Sequence, residues 1–200
     1  MSLEKFAELI AHREKVIIEI GPGEEKCSPD AIGIDRHQKP SVDYIADLNQ
    51  GLKFIADNSV DEVHAYHVLE HIEDLEFFMG EIYRVLKRGG RLIGSVPHFS
   101  NPYFYSDYTH RSFWGLYTLC YFSKKSFFMR EVPLYYNRVA FHLEKVEIIF
   151  ASPFRYRNRI KKLLQKVFNL NTYMQEFYEE NFVYLFPCYE ISFALRKDDE

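Results

Sequence analysis

A glycine-bearing turn straight after an apolar strand, followed at intervals by strand-terminal carboxylates, is a pattern that can hold a nucleoside. Val16–Ile20 runs into Gly21-Pro22-Gly23, with Glu19 two residues ahead of the first glycine. Glycine lets the backbone turn sharply and lets a ligand come close to its N–H groups. The apolar run Ala31–Ile34 ends in Asp35, whose carboxylate can accept both hydroxyls of a ribose. A third run ends in Ala46-Asp47-Leu48, offering an acid to the exocyclic amine of adenine and an apolar wall to its ring. In a parallel sheet such ligands sit beyond the carboxyl ends of the strands, where strand order reverses.

Two further groupings carry chemistry. His67-Val-Leu-Glu70-His71 matches H-x-x-E-H, the inverted zinc-peptidase motif, in which two histidines bind the metal and the glutamate activates water. That chemistry needs both imidazoles on one face of an established helix. Here the helical periodicity starts near Leu75, and VDEVHAY before it reads as strand. A zinc hydrolase is therefore a remote alternative, and no metal is expected. The segment from Pro97 to Trp114 begins at the mouth of the presumptive site and holds His98, Asp107 and His110. A histidine in a polar loop at a cleft mouth can act as general base toward a hydroxyl, its pKa being near working pH. His110, with Asp107 beside it, is the first candidate, and His98 competes for the role.

The elements that position these residues alternate. Strands are expected at Val16–Ile20, Ala31–Ile34, Asp43–Ala46, Val60–Tyr66, Arg91–Val96, Leu143–Phe150 and Tyr189–Leu195. A first helix starts at Leu3 after a Ser2 cap. The clearest helix presents Leu75, Phe78, Met79, Ile82, Val85 and Leu86 on one face, with Asp74 as cap and Gly89-Gly90 as terminator. Strands joined by crossovers imply an α/β open sheet, mostly parallel. One domain over 1–200 is expected, with an aromatic cap insertion at about 98–142 and a basic helical insertion at about 153–181. The first holds 15 of the 34 aromatic residues, a density that suits a cover over substrate. In the second, 148–175 has six Lys or Arg (Arg155, Arg157, Arg159, Lys161, Lys162, Lys166) and no acid, which could draw it to a phosphorylated or lipid-linked acceptor or a membrane surface.

Composition narrows the class. Hydrophobic residues at 47% and charged residues at 27% exclude a disordered chain, and no run approaches the roughly 20 apolar residues of a membrane span. MSLEKFAELIAHREK is not a secretory signal, and Cys27, Cys120 and Cys188, widely separated, suit a reducing cytosol. A net charge of −4 gives no reason to expect nucleic acid as partner.

Taken together, Glu19–Gly23, Ser59–Val63, His67–Ile72, Glu81–Leu92 and Val96-Pro97 resemble, in order, the segments of class I S-adenosylmethionine-dependent methyltransferases of the type 11 branch. The resemblance implies a Rossmann-like sheet of about seven strands, the last antiparallel, with helices on both faces. It implies that S-adenosylmethionine binds to Glu19, Gly21 and Gly23 at its methionine end, to Asp35 at the ribose and to Asp47 and Leu48 at the adenine. His67 and Val68 would face its centre, and the product would be S-adenosylhomocysteine. The methyl would pass to an oxygen or nitrogen of a small-molecule, glycan or glycolipid acceptor; Asp107-x-Thr109-His110 resembles a segment of related enzymes, some associated with surface-glycan assembly, which leans that acceptor toward a hydroxyl of a glycan or glycolipid precursor. One departure is plain: 14 positions from Gly21 to Asp35 leave no room for a full helix in the first crossover. A non-catalytic cofactor-binding module on the same fold is the alternative from another class.

Overall fold

Ile17–Ile20 and Ile32–Asp35 form β1 and β2, and Val60–Tyr66 forms β4; their branched residues are buried almost without exception, as strands covered on both faces require. With β3 (Tyr44–Ile45), β5 (Leu86–Pro97), β6 (Phe141–Ile149) and β7 (Glu190–Lys197) they make one seven-stranded sheet of order β3-β2-β1-β4-β5-β7-β6. β7 runs antiparallel to both of its neighbours, and the other pairings are parallel. The computed structural model describes residues 3–133 and 139–198, so the expected Ser2 cap lies outside the described residues.

Strand order reverses between β1 and β4, which places the ends of β1, β2, β3 and β4 around one crevice. The connections there are short: among the described residues no α-helix lies between β1 and β4. The shortened first crossover is thus matched by two more. The outer strands are closed instead by aromatic packing. Phe6 of α1 (Leu3–Ile10) meets the ring of Tyr44 edge-on at 5.7 Å, and Tyr44 stacks on Phe54 at 4.4 Å.

α2 (Leu75–Val85) begins where expected, because the Asp74 carboxylate accepts the Phe77 N–H at 2.9 Å. It ends four residues before the glycines. Leu86 leaves the helix to pair with Val60, and the ladder resumes only at Glu62 and Arg91, so residues 87–90 form a bulge with Gly89 at φ 73°. The expected basic helical insertion is two helices, α3 (Arg155–Phe168) and α4 (Thr172–Asn181). Asn171 separates them, its side chain accepting the Met174 N–H at 2.9 Å as a helix cap. No described helix is long and apolar enough to cross a membrane.

Candidate functional site

The carboxyl ends of the first four strands converge on a cavity of about 360 Å³. After β1 the chain turns through Gly21 and Gly23, at φ 62° and 63°, a conformation that costs side-chain-bearing residues dearly. At Gly21 space is also lacking: a Cβ there would stand 2.7 Å from Val68 Cγ2. Asp35 ends β2, one carboxylate oxygen accepting the His37 N–H at 2.9 Å. Asp47 caps the short 3-10 turn Leu48–Gln50 by accepting the Asn49 N–H at 3.1 Å. His67 follows β4 at φ 53°, a strained setting for a side chain with a Cβ. Its N–H reaches Ser95 O at 2.9 Å, and its Nε2 lies 2.6 Å from Glu190 at the start of β7. The hydrogen bond to Glu190, with Glu70 adding to it, pushes the imidazole pKa up to about 9 against the opposing effect of burial. The ring is therefore positively charged at neutral pH.

Seven of the eight residues expected to contact cofactor (Gly21, Gly23, Asp35, Asp47, Leu48, His67 and Val68) line this cavity. Glu19 does not. Its carboxylate, 1% exposed, accepts the N–H groups of Cys27 and Ser28 at 3.0 Å each. Glu19 thus folds the short crossover that carries the glycines, doing with one side chain what a helix would otherwise do. Facing the strand ends across the cavity are His71, Thr109 and Arg111. The aromatic segment so contributes polar groups to the lining, while its rings cluster among themselves, as Phe104 does with Tyr105 and Phe113.

Of the three candidates for proton transfer, His110 and Asp107 lie together, Nε2 3.7 Å from Oδ2, and His98 lies apart from them. His98 is fully buried away from the cavity, between Ser100 Oγ at 2.8 Å and the Glu179 carboxylate at 3.2 Å. Its partners give it a tethering role in place of the expected catalytic one. His110 lies just behind the lining, its ring centroid 4.9 Å from that of His71. Asp107 is exposed and accepts both the N–H and the hydroxyl of Thr109, and those bonds hold its carboxyl below the usual range. The H-x-x-E-H residues do not form a zinc-peptidase pair. His67 sits in the left-handed region and is committed to Glu190, and Leu69–His71 is a single 3-10 turn, so the two imidazoles share no helix face.

Sequence reasoning missed Glu190 and Arg111, and it missed that Glu70 and His71 meet His110. One donor atom from each of these three lies within 4.8 Å of the others. Residues 40 positions apart leave no local spacing to read. A larger cavity, about 600 Å³, lies where Tyr117, Met129 and Arg130 face Tyr173, Glu176 and Phe177 of α4. It contains none of the residues singled out from the sequence.

Comparison with known proteins bears on the fold and on one stretch of the chain. The sheet and its connections resemble those of an S-adenosylmethionine-dependent methyltransferase from Archaeoglobus fulgidus (16% identity, 98% of this chain and 92% of that one, TM-score 0.56). Phosphoethanolamine N-methyltransferase 2 of Haemonchus contortus, solved with S-adenosylmethionine, is similar at 17% identity over 98% of this chain and 52% of that one (TM-score 0.52). The YcgJ protein of Bacillus subtilis is similar at 14% identity over 99% of this chain and 98% of that one (TM-score 0.52). Identities this low speak to the fold. No curated protein sequence matches the chain. Residues 26–94, from the short first crossover through most of β5, match the family model described as a methyltransferase domain. That match spans about a third of the chain and, on this fold, makes the chain similar to S-adenosylmethionine-dependent methyltransferases, with S-adenosylmethionine as the cofactor that likeness supports.

Proposed function

We propose that the enzyme methylates a hydroxyl of a glycan or glycolipid precursor, with its cofactor held in the cavity at the ends of β1–β4. The carrying observation is that seven residues chosen from sequence for four different parts of one ligand line a single cavity of fitting size. Gly21 and Gly23 present backbone without a Cβ, and Asp35 retains a carboxylate oxygen without a partner among the described residues. Asp47 and Leu48 supply the acid and the apolar wall. When bound, S-adenosylmethionine supplies a methyl group on a positively charged sulfur, a good leaving group. The protein's own task is then alignment and exclusion of water, which can be worth about 7–11 kcal/mol, against roughly 3–5 kcal/mol for a single base. The acceptor enters from the side of His71, Thr109 and Arg111, and His110 with Asp107 is the pair that assists departure of the hydroxyl proton.

The lipid-linked form of the acceptor draws support from α3. Ile160 and Leu163 are each 63% exposed and sit at helical spacing with Val167, flanked by Arg159, Lys162 and Lys166. An exposed apolar stripe with a basic border suits an anionic lipid surface. Co-sedimentation with anionic but not neutral vesicles, abolished by Arg159→Glu with Lys166→Glu, is the expected result; unchanged sedimentation removes the membrane contact.

The cofactor assignment is tested by calorimetric titration with S-adenosylmethionine and S-adenosylhomocysteine. Micromolar binding that Asp35→Ala weakens is expected. A folded protein that binds neither overturns the site. Binding without turnover on any hydroxyl acceptor favours the non-catalytic module.

A further inference from the structure

Glu70, His71 and His110 converge beside the cavity, and their hydrogen bonds determine what each can offer. Thr109 Oγ1 donates its only proton to Asp107 Oδ1, at 2.6 Å, so toward His71 Nδ1, 2.9 Å away, it can only accept. His110 Nδ1 lies 2.8 Å from the carbonyl oxygen of Phe104, which also only accepts. Both rings therefore place their proton on Nδ1, and neither Nε2 has a hydrogen bond: that of His110 stands 3.7 Å from Asp107 Oδ2 and that of His71 stands 4.0 Å from Glu70 Oε1. This is how metal-binding histidines are commonly held, one nitrogen tied to an oxygen and the other turned to the ion. The third group is unusual in itself. Glu70 is 1% exposed, and its Oε2 is buried with no hydrogen-bond partner. The other oxygen, Oε1, faces two imidazoles without a hydrogen bond to either, 3.6 Å from His67 Nδ1 and 4.0 Å from His71 Nε2. A buried carboxylate oxygen left bare is costly unless something else meets it.

We propose that Glu70, His71 and His110 bind a divalent transition-metal ion of the zinc class, with at least one coordination position open toward the cavity. Two imidazoles and one carboxylate are the donor set of a three-ligand zinc site, and imidazole donors disfavour magnesium and calcium. One donor atom of each residue already lies within 4.8 Å of the others. Tetrahedral ligands at about 2.1 Å stand roughly 3.4 Å apart, so binding draws the groups together by about 1 Å. His71, about a third exposed, has the freedom to supply that movement. Because His71 also lines the cavity, the open position faces the space assigned to the acceptor, where an acceptor oxygen can complete the shell; in that state the ion, not His110, eases loss of the hydroxyl proton, since both His110 nitrogens are then engaged. That placement rests on the proposed cofactor site; the ion site itself does not.

The test is titration of metal-stripped protein with Co2+, followed by visible absorption, and with Zn2+, followed by calorimetry. The expected result is one equivalent bound with the visible bands of a low-coordinate cobalt site, weakened at least a hundredfold in His110→Asn and in Glu70→Gln. If Glu70→Gln does not fold, the half-buried His110→Asn decides alone. No binding by folded protein, or binding unchanged in His110→Asn, overturns the proposal. S-adenosylhomocysteine titration of the same samples keeps the two assignments apart, since its failure sinks the cofactor site and leaves the cobalt result standing.

Discussion

Two hollows of the molecule differ in kind, and the smaller of the pair has the features of a working site. In the larger cavity beside α4 two of the three lining carboxylates, Glu176 and Glu179, are already engaged. Glu176 accepts the N–H groups of Met129 and Arg130 at 3.1 Å each and the Tyr117 hydroxyl at 3.2 Å. Glu179 accepts the Leu116 N–H and faces His98. Those acids are spent on fastening the aromatic segment to α4. At the strand ends the reverse holds: the acids cap their own turns with one oxygen and keep the other. The contrast teaches that uncommitted polar groups on rigid strand termini, more than volume, mark a ligand site.

Four measurements press on this contrast. Glu19→Ala leaves two N–H groups of the short crossover without partners, and a loss of about 3 kcal/mol in urea unfolding is expected. An unchanged midpoint would mean that the glycine turn holds itself. Asp35→Ala is expected to leave that midpoint alone and to weaken S-adenosylhomocysteine by about 2 kcal/mol, roughly 30-fold in calorimetric affinity. Glu176→Gln, in the other hollow, should do the opposite: about 1–2 kcal/mol off stability with cofactor affinity within twofold. If it lowers affinity as Asp35→Ala does, the division of labour fails.

The smallest effect concerns acid. Arg84 grips Glu81 through both carboxylate oxygens, at 2.8 and 2.9 Å, and the pair fastens the segment after Asp47 by way of Leu52 and Ile55. The Arg84 hydrogen bond holds the Glu81 carboxyl below its ordinary 4.5 despite burial. A depressed folded pKa contributes stability that is complete above the unfolded value and vanishes as pH falls through the folded one. Unfolding midpoints of wild type and Glu81→Gln should therefore converge as pH drops below about 4.5. Curves that stay parallel would show that the clamp is not electrostatic.

Much of the strand-end site was legible because each of its residues sits next to a local signal: a glycine turn, or an acid ending an apolar run. The family resemblance supplied strand order, which periodicity alone does not. Other features were hidden for physical reasons. Leu86 continues the apolar stripe of α2, so the helix reads as running to Gly89, although a ladder partner in β4 claims Leu86 first. Glu19 looks like a ligand residue from its place before the glycines, yet burial turns it inward to the backbone of its own crossover. Glu190 meets His67 across 123 positions, and only the fold joins them. The split of the basic helix did have a signal, Asn169-Leu-Asn171, in which a capping residue interrupts a run of helix formers.

The placement of β7 has a consequence for the order in which the molecule can be made. Synthesis proceeds from the amino end, so β1–β5 can assemble while residues 190–197 are still to come. Among the described strands β6 has only β7 as a ladder neighbour, so apart from the single bridge of Phe141 to Ser123 it must wait until that strand slides between it and β5. For that interval the nascent chain carries two open sheet edges, a hazard for misassociation. The same late strand delivers Glu190 to His67. Closure of the sheet and completion of the hydrogen bonds around the cavity are thus one event, and a chain that stalls before it holds neither.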